Sequence, residues 1–424
     1  MVATVSSAEM TSRWHRPPPD ALRPIRVLQV ADVVNRNDFI DNVVRTLDRD
    51  RFWVGVCTLG RPSNIADPGY GEAGIPHWDI PAVGRRSYPW AAVKLARLVA
   101  REGIDVVHVH HYEPALVAWL ATRLAPKTRL VVGRHYSNAI YLASHGARRR
   151  VLLLAEAIVN RAASRIVVPS TAIRSLLVDR QHVPADKVVM LPYGFDPARY
   201  ELPDDEEVRS LREGLGLDRH FTVGTFARLY ADKGHLVFLD ALSSLRDRVP
   251  PLRWLVVGEG PERQAIEKEI VRRGLTDVVR LLGWRSDVLK LMRAVDLVVQ
   301  PTLQEAFCQV MAEALWMGRP LVMTDVSAAA DVIVDGCTGL LVPPGDAEAL
   351  AAAVAGLASD ESARARLAEA ARASATERLT IASIISRYED VYLESRADLG
   401  HSGGTRRPRS LASGASLARR RSTP

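Results

Sequence analysis

Short apolar runs alternate with amphipathic stretches of helical period through most of this chain. Runs at residues 25–30, 53–59, 104–110, 130–133 and 165–169 are rich in Val, Ile and Leu and predict buried strands. Between them, 39–47, 90–101 and 148–163 carry apolar residues at three- and four-residue spacing, which predicts helices. The alternation pauses at Pro203-Asp204-Asp205-Glu206-Glu207, then resumes with strand runs at 221–225, 252–258, 278–282, 297–300 and 321–324. Nearly continuous apolar strands interleaved with helices call for parallel sheets covered on both faces. The expected fold class is therefore α/β, with two doubly wound Rossmann-like domains facing across a cleft. Expected boundaries are an N-terminal extension over 1–22, a first domain over 23–200, a linker over 201–215 and a second domain over 216–378. A last helix over 379–398 is expected to pack back on the first domain, ahead of a disordered basic tail over 399–424.

Charge adds one correction. The net charge of +7 suggests an acidic partner, but Arg406, Arg407, Arg409, Arg419, Arg420 and Arg421 supply nearly all of it from a tail without acids. The folded body is close to neutral, so basicity gives no reason to expect nucleic-acid binding. No run approaches the roughly 18 apolar residues of a membrane span, and residues 1–19 lack the apolar core of a signal peptide. Cys57, Cys308 and Cys337 are odd in number and far apart, which suits a reducing cytoplasm. The expected location is the cytoplasm or the cytoplasmic face of a membrane.

The densest chemistry lies where the strand at 297–300 gives way to a helix. Glu305 sits in the loop at the helix mouth, and Glu313 lies two turns along the helix. Free N–H groups and the macrodipole at such a mouth attract phosphate. A diphosphate docked there has a carboxylate near each end, ready to accept hydrogen bonds from sugar hydroxyls. Arg228, just past the strand at 221–225, and Lys233, at the start of the next helix, add a guanidinium fork and an ammonium point charge for that diphosphate. Alone, each would read as a solvated loop cation; with the carboxylate pair downstream, the ligand reading is favoured. Gly258 and Gly260 end the strand at 252–258 and allow close backbone approach.

These motifs in this order resemble the carboxyl-terminal domain of retaining glycosyltransferase family 4, a group with the GT-B fold. The resemblance rests on the R-x4-K pair, Val256-Val257-Gly258-Glu259-Gly260-Pro261, the E-x7-E pair, Gly318-Arg319-Pro320 and Asp335-Gly336-Cys337-Thr338-Gly339. Looser matches in the amino half are Asp105-Val106-Val107-His108-Val109-His110, Val132-Gly133-Arg134-His135, Val167-Val168-Pro169-Ser170 and Leu191-Pro192-Tyr193-Gly194-Phe195-Asp196. The resemblance implies transfer of a sugar, with retention, from a UDP- or GDP-sugar to an acceptor hydroxyl in glycan, glycolipid or polysaccharide biosynthesis. It implies no metal and no cofactor beyond the nucleotide-sugar co-substrate. By the same resemblance, Arg228 and Lys233 bind the diphosphate, Glu313 the ribose and Glu305 the transferred sugar. Gly258, Ala306, Phe307, Cys308, Gln309 and Val310 line the donor, Arg285 lies near the base, and His135 faces the donor sugar from the other domain. The implied partners are the donor and a glycan, lipid-linked or small-molecule acceptor, with peripheral membrane contact an open alternative and no nucleic acid.

Four departures from the family pattern bear on substrate choice. The first loop, Ala31-Asp32-Val33-Val34-Asn35-Arg36-Asn37-Asp38, has no glycine pair. Ser327-Ala328-Ala329-Ala330-Asp331 stands for G-G-x-x-E, Cys308 for a common glycine, and Tyr193 for the Asn of N-G-V-D. They leave room for a nucleotide-sugar epimerase or hydrolase of the same fold, or for a non-catalytic nucleotide-sugar-binding subunit. His108, His110, His111 and His135 lack the carboxylates or cysteines that would complete a metal site. Asp48-Arg49-Asp50 reads as a solvated turn. Arg148-Arg149-Arg150 ahead of Val151-Leu152-Leu153-Leu154 reads either as a basic interfacial helix or as a core-packed one. No G-x-G-x-x-G follows the first strand, which argues against a dehydrogenase.

Overall fold

The computed structural model describes residues 23–34, 39–60, 69–82, 84–136, 145–200, 202–245, 249 and 251–397. The expected N-terminal extension, the basic tail and the centre of the first loop (35–38) lie outside them. Two wholly parallel sheets carry the structure. The first joins β1 (Ile25–Ala31), β2 (Phe52–Thr58), β3 (His77–Asp79), β4 (Val106–His110), β5 (Arg129–Gly133), β6 (Arg165–Val168) and β7 (Val188–Met190), in the order β3-β2-β1-β4-β5-β6-β7. The second joins β8 (Phe221–Phe226), β9 (Leu252–Val257), β10 (Val279–Gly283), β11 (Leu297–Gln300), β12 (Leu321–Thr324) and β13 (Leu340–Val342), in the order β10-β9-β8-β11-β12-β13. This is the expected α/β class with two doubly wound domains. β3, β7 and β13, three residues each, are too short to carry a periodic signal in the sequence.

The central strands are buried on both faces, as apolar runs flanked by helices must be: Val27, Leu28, Val106, Val107, Val223, Leu255, Val298 and Val299 are shut off from solvent. The helix Ile381–Ala397 crosses back to the first sheet, touching β1, β4, β5 and the helix Phe39–Thr46. Ile381, Ile384, Tyr388, Val391 and Tyr392 are buried there with β1 and β2, and Arg51 pairs with Glu389 at 2.7 Å. Among the described residues no helix is long and apolar enough to cross a membrane.

The helix Gly146–Ala162 differs from a core-packed amphipath. It turns Glu156, Val159 and Asn160 inward and leaves Val151 61%, Leu154 64% and Ile158 41% exposed. The reason is a buried cation: Arg134, 2% exposed, needs Glu156, whose carboxylate lies 2.7 Å away. An unpaired guanidinium in that position would cost more than three exposed aliphatic side chains.

Candidate active site

Each sheet reverses its strand order once, between β1 and β4 and between β8 and β11. Doubly wound sheets bind ligands beyond the strand ends at such a reversal. In the second domain the β8, β9 and β11 loops are locked together there. Leu303 N donates to Asp232 O at 2.8 Å. Gly234 has φ 69°, and a Cβ on it would lie 1.9 Å from the Pro301 carbonyl oxygen. Gly258, with φ 146°, likewise leaves no room beside the Ala227 carbonyl oxygen, 2.0 Å from where its Cβ would be. Only glycine fits either position.

That lock brings Lys233 to Glu305: Nζ lies 2.6 Å from Oε2. Asp232 is 3.4 Å from the same nitrogen, and Glu305 Oε1 accepts from the Ala306 N–H at 3.0 Å. Burial works to lower the Lys233 ammonium, but the Glu305 charge and hydrogen bond outweigh it and hold the group above its ordinary value. Arg228 lies at the same rim, exposed, its guanidinium 4.9 Å over the Tyr230 ring, and forms no ion pair among the described residues. Arg285 is not brought into the cluster. It follows the edge strand β10 and grips Asp287 with two hydrogen bonds of 2.8 and 2.6 Å.

The helix Gln309–Trp316 starts beyond Glu305 with its first N–H groups lacking intrahelical acceptors. Ala306, Phe307 and Cys308 are buried ahead of it. Cys308 holds φ 67°, a left-handed backbone where glycine would be unstrained, and burial pushes its thiol up to about 12. Glu313 borders a small pocket lined also by Phe39, Asn42, Tyr193, Tyr200 and Gln309. Gln309 Nε2 donates to Glu313 Oε1 at 3.2 Å and to Tyr200 Oη at 3.0 Å. Burial raises the Glu313 carboxyl to about 7 against the opposing pull of that hydrogen bond. Val310 is half-buried and packs into the core behind the site.

Across the cleft, His135 follows β5 beside the buried Arg134. Its Nδ1 is 2.7 Å from Tyr193 Oη and its Nε2 is 2.8 Å from His110 Nδ1. The chain of contacts continues inward: His110 Nε2 to Gln29 Oε1 at 2.8 Å, Gln29 Nε2 to Tyr392 Oη at 2.8 Å, and Tyr392 Oη to His108 Nδ1 at 2.9 Å. With Gln29 Nε2 donating to Tyr392, Oε1 accepts from His110, whose Nδ1 then accepts from His135 Nε2–H. His135 Nδ1 is left to accept from the Tyr193 hydroxyl. Burial, reinforced by the neighbouring histidines, holds His135 and His110 well below the ordinary histidine range, so both rings are neutral.

The two domains touch around this site. Tyr193 stacks on Phe39, with centroids 4.2 Å apart, and leans on Phe307 at 4.6 Å. Ser170 Oγ is 3.0 Å from Ser327 Oγ, which donates to the Ala306 carbonyl at 2.8 Å. Asp331 accepts from the Thr171 N–H at 2.7 Å. Thus Ser327 and Asp331, which depart from the family's glycines and glutamate, both contact the first domain. Asp32, at the end of β1, is half-buried, and burial together with Glu113 lifts its carboxyl to about 6. Sequence reading missed Gln29, Phe39, Tyr200 and Tyr392; a lone glutamine inside the apolar strand Ile25–Ala31 was the one available signal.

The family model described as Glycosyltransferase Family 4 matches residues 38–199, and the one described as Glycosyl transferases group 1 matches residues 220–360. Among curated relatives, the alpha-D-kanosaminyltransferase of Streptomyces kanamyceticus is 31% identical over 55% of this chain and 61% of its own length. The N-acetyl-alpha-D-glucosaminyl L-malate synthase of Bacillus anthracis is 26% identical over 72% of this chain and 79% of its own. Among solved structures, Anabaena HepE in complex with UDP-glucose superposes with a TM-score of 0.73 at 24% identity, covering 87% of this chain and 99% of that one. Sucrose-phosphate synthase from Thermosynechococcus elongatus gives 0.72 at 18% identity over 88% and 100%. With one family model on each domain and the two-sheet architecture shared with these structures, the chain belongs to glycosyltransferase family 4 and has the GT-B fold.

Proposed function

We propose that the protein transfers a sugar, with retention of anomeric configuration, from a UDP- or GDP-sugar to an acceptor hydroxyl in the building of a glycan, glycolipid or polysaccharide. The observation that carries this is the Lys233–Glu305 pair at the β8/β11 reversal, with Glu313 in the helix that follows and the neutral His135 in the first domain. The diphosphate binds between Arg228, Lys233 and the N-terminus of the helix Gln309–Trp316. Glu313 accepts hydrogen bonds from the ribose and Glu305 from the transferred sugar. The bond from the anomeric carbon to the diphosphate breaks, and the acceptor oxygen bonds to that carbon on the departing face. The acceptor's proton passes to the leaving phosphate oxygen. Charge growing on the diphosphate meets fixed cations and N–H groups, which can supply several kcal/mol, and the reading calls on no metal.

Support for UDP comes from HepE, a relative in fold that binds UDP and UDP-glucose. The test is nucleotide release from UDP- and GDP-sugars with and without a panel of sugar, cyclitol and alkyl-glycoside acceptors, with product anomers read by NMR. Nucleotide binding without transfer to any acceptor would overturn the proposal, as would free sugar as the sole product.

A further inference from the structure

Gln29 shares a face of β1 with Ile25, Val27 and Ala31, which pack with the last helix. It is 1% exposed, and its amide is engaged at both ends. Nε2 meets Tyr392 Oη and Oε1 meets His110 Nε2, each at 2.8 Å. The line runs on from His110 Nδ1 to His135 Nε2, also 2.8 Å. The fold makes room for that contact: a Cβ on Gly133 would lie 2.5 Å from His135 Nε2 and 2.6 Å from His110 Nδ1.

The members of this line are not alike. An imidazole can carry its proton on either nitrogen and a hydroxyl can turn, so each passes a hydrogen bond in either direction. A primary amide cannot, because its oxygen only accepts and its nitrogen only donates. Reversing the line therefore requires the Gln29 amide to rotate by half a turn inside the core. Tyr392 holds it as it stands, since the hydroxyl can donate onward to His108 Nδ1, 2.9 Å away, and keep a lone pair turned to the amide. His110 must then carry its proton on Nε2 and offer Nδ1 to His135, which carries its own proton on Nε2. What emerges at the site is the Nδ1 lone pair of His135, 2.7 Å from the Tyr193 hydroxyl.

We infer that Gln29, held by Tyr392, is a positioning residue for His135: the direction of its amide selects the tautomer that presents an acceptor, not a donor, to a hydroxyl of the donor sugar. The Tyr193 hydroxyl marks the place which that sugar hydroxyl takes. His135 faces the donor sugar in the transferase reading, on which this last step rests; the tautomer itself depends only on residues of this chain.

The test uses the full chain, labelled with nitrogen-15 in its histidine rings, as wild type, Gln29→Met and Tyr392→Phe, with His135→Asn to assign the His135 signals. Proton–nitrogen correlations through two bonds read which nitrogen is protonated. Wild type is expected to show His135 with Nε2 protonated and Nδ1 bare. Gln29→Met, apolar and close in volume, should lose that fixed pattern and let Nδ1 protonation appear. Tyr392→Phe should shift it the same way by less, and carries the test should Gln29→Met fail to fold. The second readout is calorimetric affinity for the UDP- or GDP-sugar that wild type binds, against its bare nucleoside diphosphate. In Gln29→Met the nucleotide-sugar should bind about 10-fold more weakly, the scale of one hydrogen bond, with the nucleoside diphosphate unchanged within about twofold.

A merely structural Gln29 would lower the melting temperature of folded variants and leave the His135 signals as in wild type. That result overturns the inference and leaves the transferase reading standing. Nδ1 protonation of His135 in wild type overturns it too, as does an altered tautomer with unaltered nucleotide-sugar affinity. Nucleotide-sugar binding by wild type without transfer to any acceptor sinks the transferase reading instead, and both readouts, taken without turnover, still decide the role of Gln29.

Discussion

Tyr193 Oη lies 2.7 Å from Nδ1 of His135, so in this structure both nitrogens of that ring are taken, one by each neighbour. The hydroxyl occupies the direction from which a sugar hydroxyl would approach Nδ1. Tyr193→Phe keeps the stack on Phe39 and Phe307 but strands an acceptor in a buried place. It is expected to lower unfolding free energy by about 1–2 kcal/mol, measured by urea titration. An unchanged midpoint would mean the bond contributes nothing.

Glu305→Gln keeps the side-chain shape and removes the charge that holds the Lys233 ammonium. Under the proposed function, transfer should fall by roughly 100-fold or more, the scale for losing one preorganised electrostatic contact. Initial rates of nucleotide release at saturating donor measure this. Wild-type rates in the variant would remove Glu305 from the site.

Glu313 gives stability a pH dependence of unusual sign for a carboxylate. Its folded value, about 7, lies above its ordinary 4.5, so the folded state holds the proton more tightly than the unfolded chain. Its contribution is therefore full below about pH 4.5, is lost as pH climbs toward 7, and is flat beyond. Glu313→Gln should remove that slope, leaving the variant more stable than wild type at about pH 8 by on the order of 1–3 kcal/mol, and level with it near pH 4. Chemical denaturation at the two pH values measures the difference. In the proposed complex, ribose hydroxyls favour the ionised carboxylate, so UDP-glucose binding should release protons and tighten from pH 6 to pH 8. Calorimetry in buffers of different ionisation heat reads this directly.

Gly234→Ala places a methyl group against the Pro301 carbonyl oxygen and forces a positive φ on alanine. The β8 and β11 loops must separate or the residue must strain. A loss of about 3 kcal/mol or more is expected, together with weaker donor binding, because the same lock sets Lys233 beside Glu305. A variant with wild-type thermal stability would contradict the crowding.

Much of this molecule could be read from its residues taken one element at a time. The apolar runs gave the strands, and Glu305, Glu313, Arg228 and Lys233 stood out because charges at strand ends and helix mouths have few structural uses. What stayed hidden depends on which elements meet. The last helix is expected to return to the first domain, but nothing in the period of either segment says that Tyr392 meets Gln29, 363 positions away. Helix Gly146–Ala162 was ambiguous for the same reason: hydrophobicity marks what prefers burial, while Arg134 decided which face turned inward.

The return of the final helix to the opening sheet means the two lobes are not separable modules. A fragment ending near residue 200 would lack Tyr388, Val391 and Tyr392, and would leave Val27, Val54 and Val106 facing water where those side chains now sit. A nascent chain on the ribosome cannot finish its amino-terminal half until the helix Ile381–Ala397 has emerged.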